Sequence, residues 1–414
     1  MLAEQSPAGL AADAARLIDR SVRGRVLAFG SLPPEGRDLD LLARPAEERA
    51  LVTALAAEGL AQKGRVWALF RNCSAYGIEL VPASDWALPQ GEVDALFDEA
   101  RPIDGFENLV RPAPGHALLI LARRLAGAGG RLDAKLNARL GAVLAEEPRA
   151  WEHAGARAGA WRARRHLDAL AGTHRGAARR PSLPRKPGRP RRTVVVAFSG
   201  LDGAGKSTQA SALREALDRL GVTATVVWRP LGDNPILDLI GRPAKRILSA
   251  LHFGPLRGLA ERSAHGSVMS SPDGGGRSGV VTSAWATFVV LLNLAAQRQA
   301  AARHAMRGHV VIYDRHVLDS AVRMRFLYGT AGRSRLQRLL LRTAAPRARF
   351  AYLLEIDAEM AAARKPDWTV EQLRRQAQLY REEAGAFRVR RLDGGRPRDE
   401  LCTLVAAEVW RGLG

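Results

Sequence analysis

A glycine-rich segment with one lysine and two hydroxyl residues carries the clearest chemical signal in the chain. It reads Gly200-Leu201-Asp202-Gly203-Ala204-Gly205-Lys206-Ser207-Thr208. Glycines lack a Cβ, so the backbone N–H groups of such a turn can close around phosphate oxygens. Lys206 can reach the β- and γ-phosphates of a nucleotide, and the Ser207 hydroxyl can ligate Mg²⁺. The segment therefore predicts a nucleotide-binding loop made by Gly200, Gly203, Ala204, Gly205, Lys206, Ser207 and Thr208.

An acid and a base follow a second apolar run. The run is Val310-Val311-Ile312-Tyr313, and Asp314-Arg315 come directly after it. A phosphoryl group in transfer carries negative charge on its oxygens, so its catalysis needs cations at fixed positions. Lys206, Arg315 and Arg229 are the candidate cations, and Asp314 is a candidate ligand of Mg²⁺. The alternative for Asp314-Arg315 is an ordinary ion pair at the end of a strand.

A third group of residues lies near the N-terminus and consists of carboxylates. Alternation along a strand would place Asp38 and Asp40 on one face, and Glu79 lies on a later apolar run. Neighbouring carboxylates repel each other unless a cation lies between them, so the pair predicts a Mg²⁺ site with Glu79 as a third ligand. A strand-edge pair of acids without any metal is the alternative.

Apolar runs and helical patterns predict the elements that position these residues. Strands are predicted at 194–198, 223–228, 309–313 and 350–356, and helical patterns lie between them. Strands that alternate with helices form a parallel sheet, with ligands at the carboxyl ends of the strands. We therefore expect the glycine-rich segment, Arg229 and Asp314-Arg315 to meet at one edge of a three-layer α/β domain.

The length and charge of the chain indicate two domains and a basic linker. A chain of 414 residues is too long for a single core, and residues 175–192 hold eight Arg or Lys, four Pro and no acid. Like charges and prolines favour an extended linker, which separates predicted domains 1–174 and 193–414. Within it, Gly188-Arg189-Pro190 resembles the core of an AT-hook, which lies in the DNA minor groove. The net charge of +21 fits an anionic partner or an arginine-rich composition equally well.

Residues 193–414 resemble the thymidylate kinases. The likeness is carried by Ser199–Thr208, by Asp314-Arg315-His316 with Asp319-Ser320, and by Arg229-Pro230. It implies a P-loop NTPase fold that uses ATP and Mg²⁺. It also implies that Asp202 faces the acceptor sugar and that Arg229 and Arg315 hold the acceptor phosphate. The lid of that family is matched by 357–366, which makes Arg364 the lid arginine.

Three positions depart from the pattern of that family. Ser199 stands where a glutamate is common, His316 replaces an aromatic residue, and Arg298 lies about one helical turn too close to Asp314. All three departures concern recognition of the acceptor and leave the residues expected to bind ATP unchanged. Use of ATP and Mg²⁺ is therefore a firmer expectation than specificity for dTMP.

The N-terminal domain resembles the nucleotidyltransferase superfamily. The likeness rests on Gly30-Ser31 after an apolar run, on Arg37–Leu42 and on the later carboxylate Glu79. It implies an α+β nucleotidyltransferase-like domain, completed by a helical extension from about residue 115 to 170. The superfamily usually has Asp where this chain has Glu79.

Together these features predict a nucleoside monophosphate kinase of the thymidylate kinase type, acting on a dTMP-like or related phosphorylated acceptor. One alternative is nucleotidyl transfer to a small molecule or sugar phosphate. Another is a non-catalytic, nucleotide-dependent switch that binds nucleic acid through its linker.

No signal segment is visible at the N-terminus, and the longest apolar run, 284–296, is interrupted by Asn293. We therefore expect a cytoplasmic protein without a membrane span, and leave a homodimer open.

Overall fold

The computed structural model describes residues 7–33, 36–127, 134–174, 193–228, 277–305, 310–328 and 335–413. The described residues form two compact units, one comprising 7–174 with 410–413 and the other 193–409. The predicted linker 175–192 and the predicted acceptor residue Arg229 lie outside the described residues. No helix in these ranges has both the length and the apolar character that a membrane crossing requires.

The first unit contains a seven-stranded mixed sheet with helices. The order of its strands across the sheet is β3-β4-β5-β2-β1-β7-β6. In chain order the elements are α1 Pro7–Ser21, β1 Val26–Ala28, β2 Asp38–Ala43, α2 Pro45–Ala57, β3 Ala61–Lys63, β4 Val66–Arg71, β5 Ser74–Pro82, a 3₁₀ turn Ala83–Trp86, α3 Gln90–Asp98, β6 Arg101–Pro102, β7 Leu109–Arg111, α4 Pro114–Gly127, α5 Ala134–Glu146, α6 Ala150–Arg157 and α7 Arg164–His174.

This sheet is covered on both faces, and its strand sequences explain why. Leu27 and Leu42 are partners across β1 and β2, and both pack into the core formed with α3 to α7. Their neighbours Val26 and Leu41 pack into a second core with α1 and α2. Because successive side chains point to opposite faces, strands with apolar residues at consecutive positions require a layer on each side.

The second unit contains a five-stranded sheet in which all neighbouring strands are parallel. The order across the sheet is β12-β11-β8-β10-β9. Its elements are β8 Val194–Gly200, α8 Lys206–Arg219, β9 Ala224–Trp228, α9 Arg277–Ala305, β10 Val310–Asp314, α10 Val317–Tyr328, α11 Arg335–Ala344, β11 Phe350–Glu355, α12 Ala358–Arg364, α13 Val370–Phe387, β12 Arg390–Asp393 and α14 Arg398–Gly412. The α/β class predicted from the sequence is confirmed.

The register of the parallel strands brings the predicted site residues to one edge. Asp314 on β10 lies beside Phe198 on β8, and Leu354 on β11 lies beside Gly200. The carboxyl ends of these three central strands therefore coincide. The glycine-rich segment leaves the sheet at this point and leads into α8.

Candidate functional site

Two glycines of the loop that follows β8 occupy positions that a larger residue would not fit. Gly200 has a φ of 143°, and a Cβ there would collide with the carbonyl oxygen of Leu354. Gly203 has a φ of 87°, and its Cβ would lie 2.7 Å from the carbonyl oxygen of Ala361. The loop is therefore packed tightly against β11 and α12, which fixes its path.

Helix α8 begins directly after this loop with an open N-terminus. Its N-cap residue Gly205 has a left-handed conformation, and no side chain caps the helix. The first hydrogen bond of the helix at this end runs from the N–H of Gln209 to the carbonyl oxygen of Gly205, at 3.0 Å. The N–H groups of the first turn, from Lys206 to Thr208, thus point out of the helix. Together with the helix dipole they favour an anion at this end.

Lys206 is buried under the loop. Its Nζ donates hydrogen bonds to the carbonyl oxygens of Gly200 and Leu201, both at 2.7 Å. Burial, and then the positive charge of Arg315, lower the pKa of Lys206, while nearby carboxylates oppose that shift. The ammonium group is therefore held by two backbone carbonyls of the loop.

Ser207 and Asp314 meet across the start of α8 and the end of β10. The hydroxyl of Ser207 donates to Oδ2 of Asp314 at 2.5 Å. The other oxygen of this carboxylate, Oδ1, is buried and has no hydrogen-bond partner among the described residues. A buried carboxylate oxygen without a partner calls for a ligand, a water or an ion.

Asp202 is the centre of a second cluster in the same loop. It accepts hydrogen bonds from a guanidinium nitrogen of Arg315 and, at 3.2 Å, from the indole N–H of Trp368. Nζ of Lys206 lies 3.8 Å from Oδ1 of Asp202. Burial favours the neutral acid, but Arg315 and Lys206 outweigh burial and lower the pKa of Asp202. The carboxylate is therefore ionised and surrounded by donors.

The backbone of Arg315 is held in an unusual conformation for a side chain of its size. Its φ is 79°, and its N–H donates to the carbonyl of Phe198 at 3.1 Å. Burial lowers the pKa of Arg315, but Asp202 and Asp319 more than offset this effect and raise it. Strained backbone of this kind is concentrated at functional sites.

Behind the loop, Asp319 connects three elements. Its carboxylate accepts the N–H of His316 at 3.0 Å and the hydroxyl of Tyr380 at 2.8 Å, and lies 3.4 Å from the N–H of Gly200. Burial, and then the charge of Asp319, raise the pKa of Tyr380 well above its usual value. Tyr380 therefore stays protonated and anchors α13 to the back of the glycine-rich loop.

The predicted lid arginine lies beside the loop. Arg364, at the end of α12, has Nη1 at 3.5 Å from the carbonyl of Gly203 and 3.4 Å from that of Gly394. Arg298, which departs from the family pattern, is exposed on α9. Five of the predicted site residues thus lie around one loop: Asp202, Arg315, Ser207, Asp314 and Arg364.

Trp368 and Tyr380 were missed by the sequence analysis. Trp368 lies between α12 and α13, in a polar stretch where a lone tryptophan is the only signal. Its ring also packs edge-on against Phe326 at 5.7 Å. Tyr380 lies on α13 and carries no local signal, because its partner Asp319 is 61 residues away.

A cavity of about 280 Å³ adjoins the loop at the carboxyl ends of β8 and β11. Gly200, the end of β11 and the side chains of Arg374 and Arg391 line it. Arg374 pairs with Glu359 and Arg391 with Glu355, so these two charges are compensated. The cavity lies where ligands bind in open parallel sheets.

The N-terminal carboxylates do not form the predicted three-ligand metal site. Asp38 is exposed at the start of β2, Asp40 is buried, and Glu79 is partly buried on β5. In the part of the chain that the structure describes, no group of three or more His, Cys, Asp or Glu side chains could hold a metal ion. Arg124 contacts one of these acids: its Nη2 lies 2.5 Å from Oδ2 of Asp40.

The chain matches no known protein-family model. No curated protein is significantly similar to it in sequence. A function for this chain must therefore be inferred from the residues and their geometry.

Proposed function

We propose that the second unit is a P-loop kinase that transfers a phosphoryl group from ATP to a nucleoside monophosphate or a related phosphorylated small molecule. The observation that carries the proposal is the contact between Ser207 and Asp314, at 2.5 Å. A hydroxyl at the start of the helix after a glycine loop, and an acid at the end of a neighbouring strand, are the two protein ligands of Mg²⁺ in P-loop enzymes.

The phosphates of ATP would be held by the loop and by the start of α8. The uncapped first turn presents N–H groups and the positive end of the helix dipole. Lys206, buried beneath the loop, supplies the positive charge. On binding, its ammonium group would exchange the carbonyls of Gly200 and Leu201 for phosphate oxygens.

Ser207 and Asp314 fit a magnesium ion. The fit rests on Oδ1 of Asp314, a buried carboxylate oxygen without a partner, next to the Ser207 hydroxyl. Mg²⁺ takes one or two protein ligands and fills its remaining positions with water and phosphate oxygens. Bound there, it would neutralise charge on the phosphates.

The acceptor would bind at Asp202 and Arg315. Arg315 offers a guanidinium group for an anionic acceptor, and Asp202 offers a carboxylate for a hydroxyl or amine. Arg364 lies beside the loop, near Gly203, where it can help exclude water from the phosphates. These positions support an acceptor that carries both a phosphate and a hydroxyl, as a nucleoside monophosphate does.

The test is transfer of labelled phosphate from ATP to a panel of nucleoside monophosphates, including dTMP, and of sugar phosphates. Lys206→Ala should reduce turnover by roughly 100-fold or more, since it removes a cation that stabilises the transition state. Arg214→Ala is the matched control, because Arg214 is a partly exposed cation of the same helix that pairs only with its neighbour Glu215 in the described contacts. Equal turnover in Lys206→Ala and wild type, or no transfer to any acceptor, contradicts the proposal.

A further inference from the structure

Two adjacent strands of the N-terminal sheet hold acidic residues in register. Asp40 on β2 lies beside Glu79 on β5, and Asp38 lies two residues earlier on β2. The side chain of Asp40 is only 5% exposed. The guanidinium group of Arg124, from α4, reaches this carboxylate. A buried carboxylate needs such a counter-charge, because burial of an unpaired charge is costly.

The space around Asp40 is filled by the protein itself. On one side the turn after β1 lies so close that a Cβ on Gly30 would collide with Oδ2 of Asp40. Arg124 donates to that same oxygen. A magnesium ion at Oδ2 would need about 2.0–2.1 Å to the oxygen and room for several waters. The residues present therefore do not fit a metal ion at this position.

The acids of the cluster still act on the titratable groups beside them. Burial, and next the charge of Asp40, raise the pKa of Glu79, while Arg124 opposes the shift. The buried hydroxyl of Tyr76 has no hydrogen-bond partner in the described residues. Burial, and then Asp38 and Asp40, raise the pKa of Tyr76. Arg124, together with a smaller contribution from Arg65, thus offsets only part of the effect of burial and of the acids on Glu79.

We propose that Arg124 is the built-in counter-ion of this cluster and takes the place of a divalent cation. The N-terminal unit then binds no metal at Asp40, and metal-dependent nucleotidyl transfer is not its activity. The carboxylates remain, so that loss of Arg124 alone converts the cluster into a divalent-cation site. The cluster is a latent metal site closed by an internal arginine.

The test is Mn²⁺ binding to the full-length chain, followed by electron paramagnetic resonance. Arg124→Gln should bind one Mn²⁺ per chain more than the wild type, and the double variant Asp40→Asn with Arg124→Gln should lose that ion. Arg123→Gln is the matched control, because Arg123 donates to the carbonyl of Trp86 rather than to Asp40. Arg124→Lys, which keeps the charge, should also bind no additional Mn²⁺.

Thermal unfolding gives an independent readout, should Arg124→Gln be unstable. Asp40 is then a buried, unpaired charge, so the Tm of Arg124→Gln should fall and should recover with Mn²⁺. The Tm of the double variant Asp40→Asn with Arg124→Gln should recover without metal. A wild-type Mn²⁺ site that Asp40→Asn abolishes would overturn the proposal. So would an Arg124→Gln chain that neither gains an ion nor recovers its Tm in Mn²⁺.

Discussion

The indole N–H of Trp368 donates a hydrogen bond to Oδ2 of Asp202, at 3.2 Å, while Arg315 binds Oδ1 of the same carboxylate. Asp202 and Arg315, the two residues proposed to bind the acceptor, thus bind each other. Trp368 binds the same carboxylate of Asp202. An acceptor hydroxyl that binds Asp202 must compete with Trp368. This competition leads to the first prediction.

Trp368→Phe should lower the KM for the acceptor by about threefold, because one hydrogen bond of about 0.5–1 kcal/mol no longer competes for Asp202. The KM for ATP should be unchanged. Phenylalanine keeps a ring against Phe326, so packing there is largely retained. Steady-state kinetics with each substrate varied in turn measure both values. A higher KM for the acceptor would mean that the indole contacts the acceptor instead.

Asp314→Asn should reduce turnover by at least about 100-fold, because the amide is a far weaker ligand for Mg²⁺ than the carboxylate. Ser207→Ala should mainly raise the Mg²⁺ concentration needed for half-maximal turnover. Thr343→Ala, which removes an exposed hydroxyl on α11, serves as the control. Magnesium titrations of all three variants against the wild type are the measurement. A magnesium dependence identical to wild type in both site variants would place the ion elsewhere.

Gly203→Ala should destabilise the protein by about 1–2 kcal/mol through its positive φ alone, with a further cost from the carbonyl of Ala361 at 2.7 Å. Gly385→Ala is the contrasting substitution. Gly385 lies exposed within α13, where an added Cβ meets nothing within 4 Å, so alanine there should stabilise by about 0.5–1 kcal/mol. Urea unfolding of the two variants gives the comparison. A neutral Gly203→Ala would show that the loop can move away from α12.

His316 should make stability depend on pH. Burial lowers its pKa to about 4, from an ordinary value of 6.5, although Asp319 and the backbone of Pro346 oppose the shift. Between these pH values the unfolded chain binds a proton that the folded chain does not, so stability falls as the pH falls from 6.5 towards 4. The loss approaches about 3 kcal/mol at the lower end of this range.

His316→Gln removes this titration. The difference in the free energy of unfolding between wild type and variant should therefore shift in favour of the variant as the pH is lowered from 7 to 4.5. Urea unfolding at several pH values measures it. A difference that stays constant with pH would show that His316 becomes protonated in the folded protein.

The features that the sequence predicted well are local. The strand that ends at Asp314 and the loop that leads into Lys206 each depend on a few consecutive residues, whose apolar pattern or glycine content determines their conformation. Parallel pairing of β8 and β10 then aligns the carboxyl ends of these strands, and no other part of the sequence is needed to predict this alignment. The class of the fold and the position of Asp314 opposite the loop could therefore be predicted.

The features that could not be predicted depend on distant partners. Asp40 and Arg124 are 84 residues apart. The alternation of side chains on β2 does not predict which helix places an arginine against the face that carries Asp40. The prediction of a three-carboxylate metal site could not take this arginine into account. The pairing of Asp319 with Tyr380 has the same origin, since only the packing of α10 against α13 joins them.

The register between β8 and β10 also determines which changes in length the chain could accept. Asp314 is placed opposite Phe198 by ladder pairing that begins at Val310 and Val194, and this pairing does not depend on how many residues separate β9 from α9. Insertions there would leave the acid beside Ser207. A single residue inserted within Val310–Asp314 would instead turn Asp314 to the opposite face of the sheet.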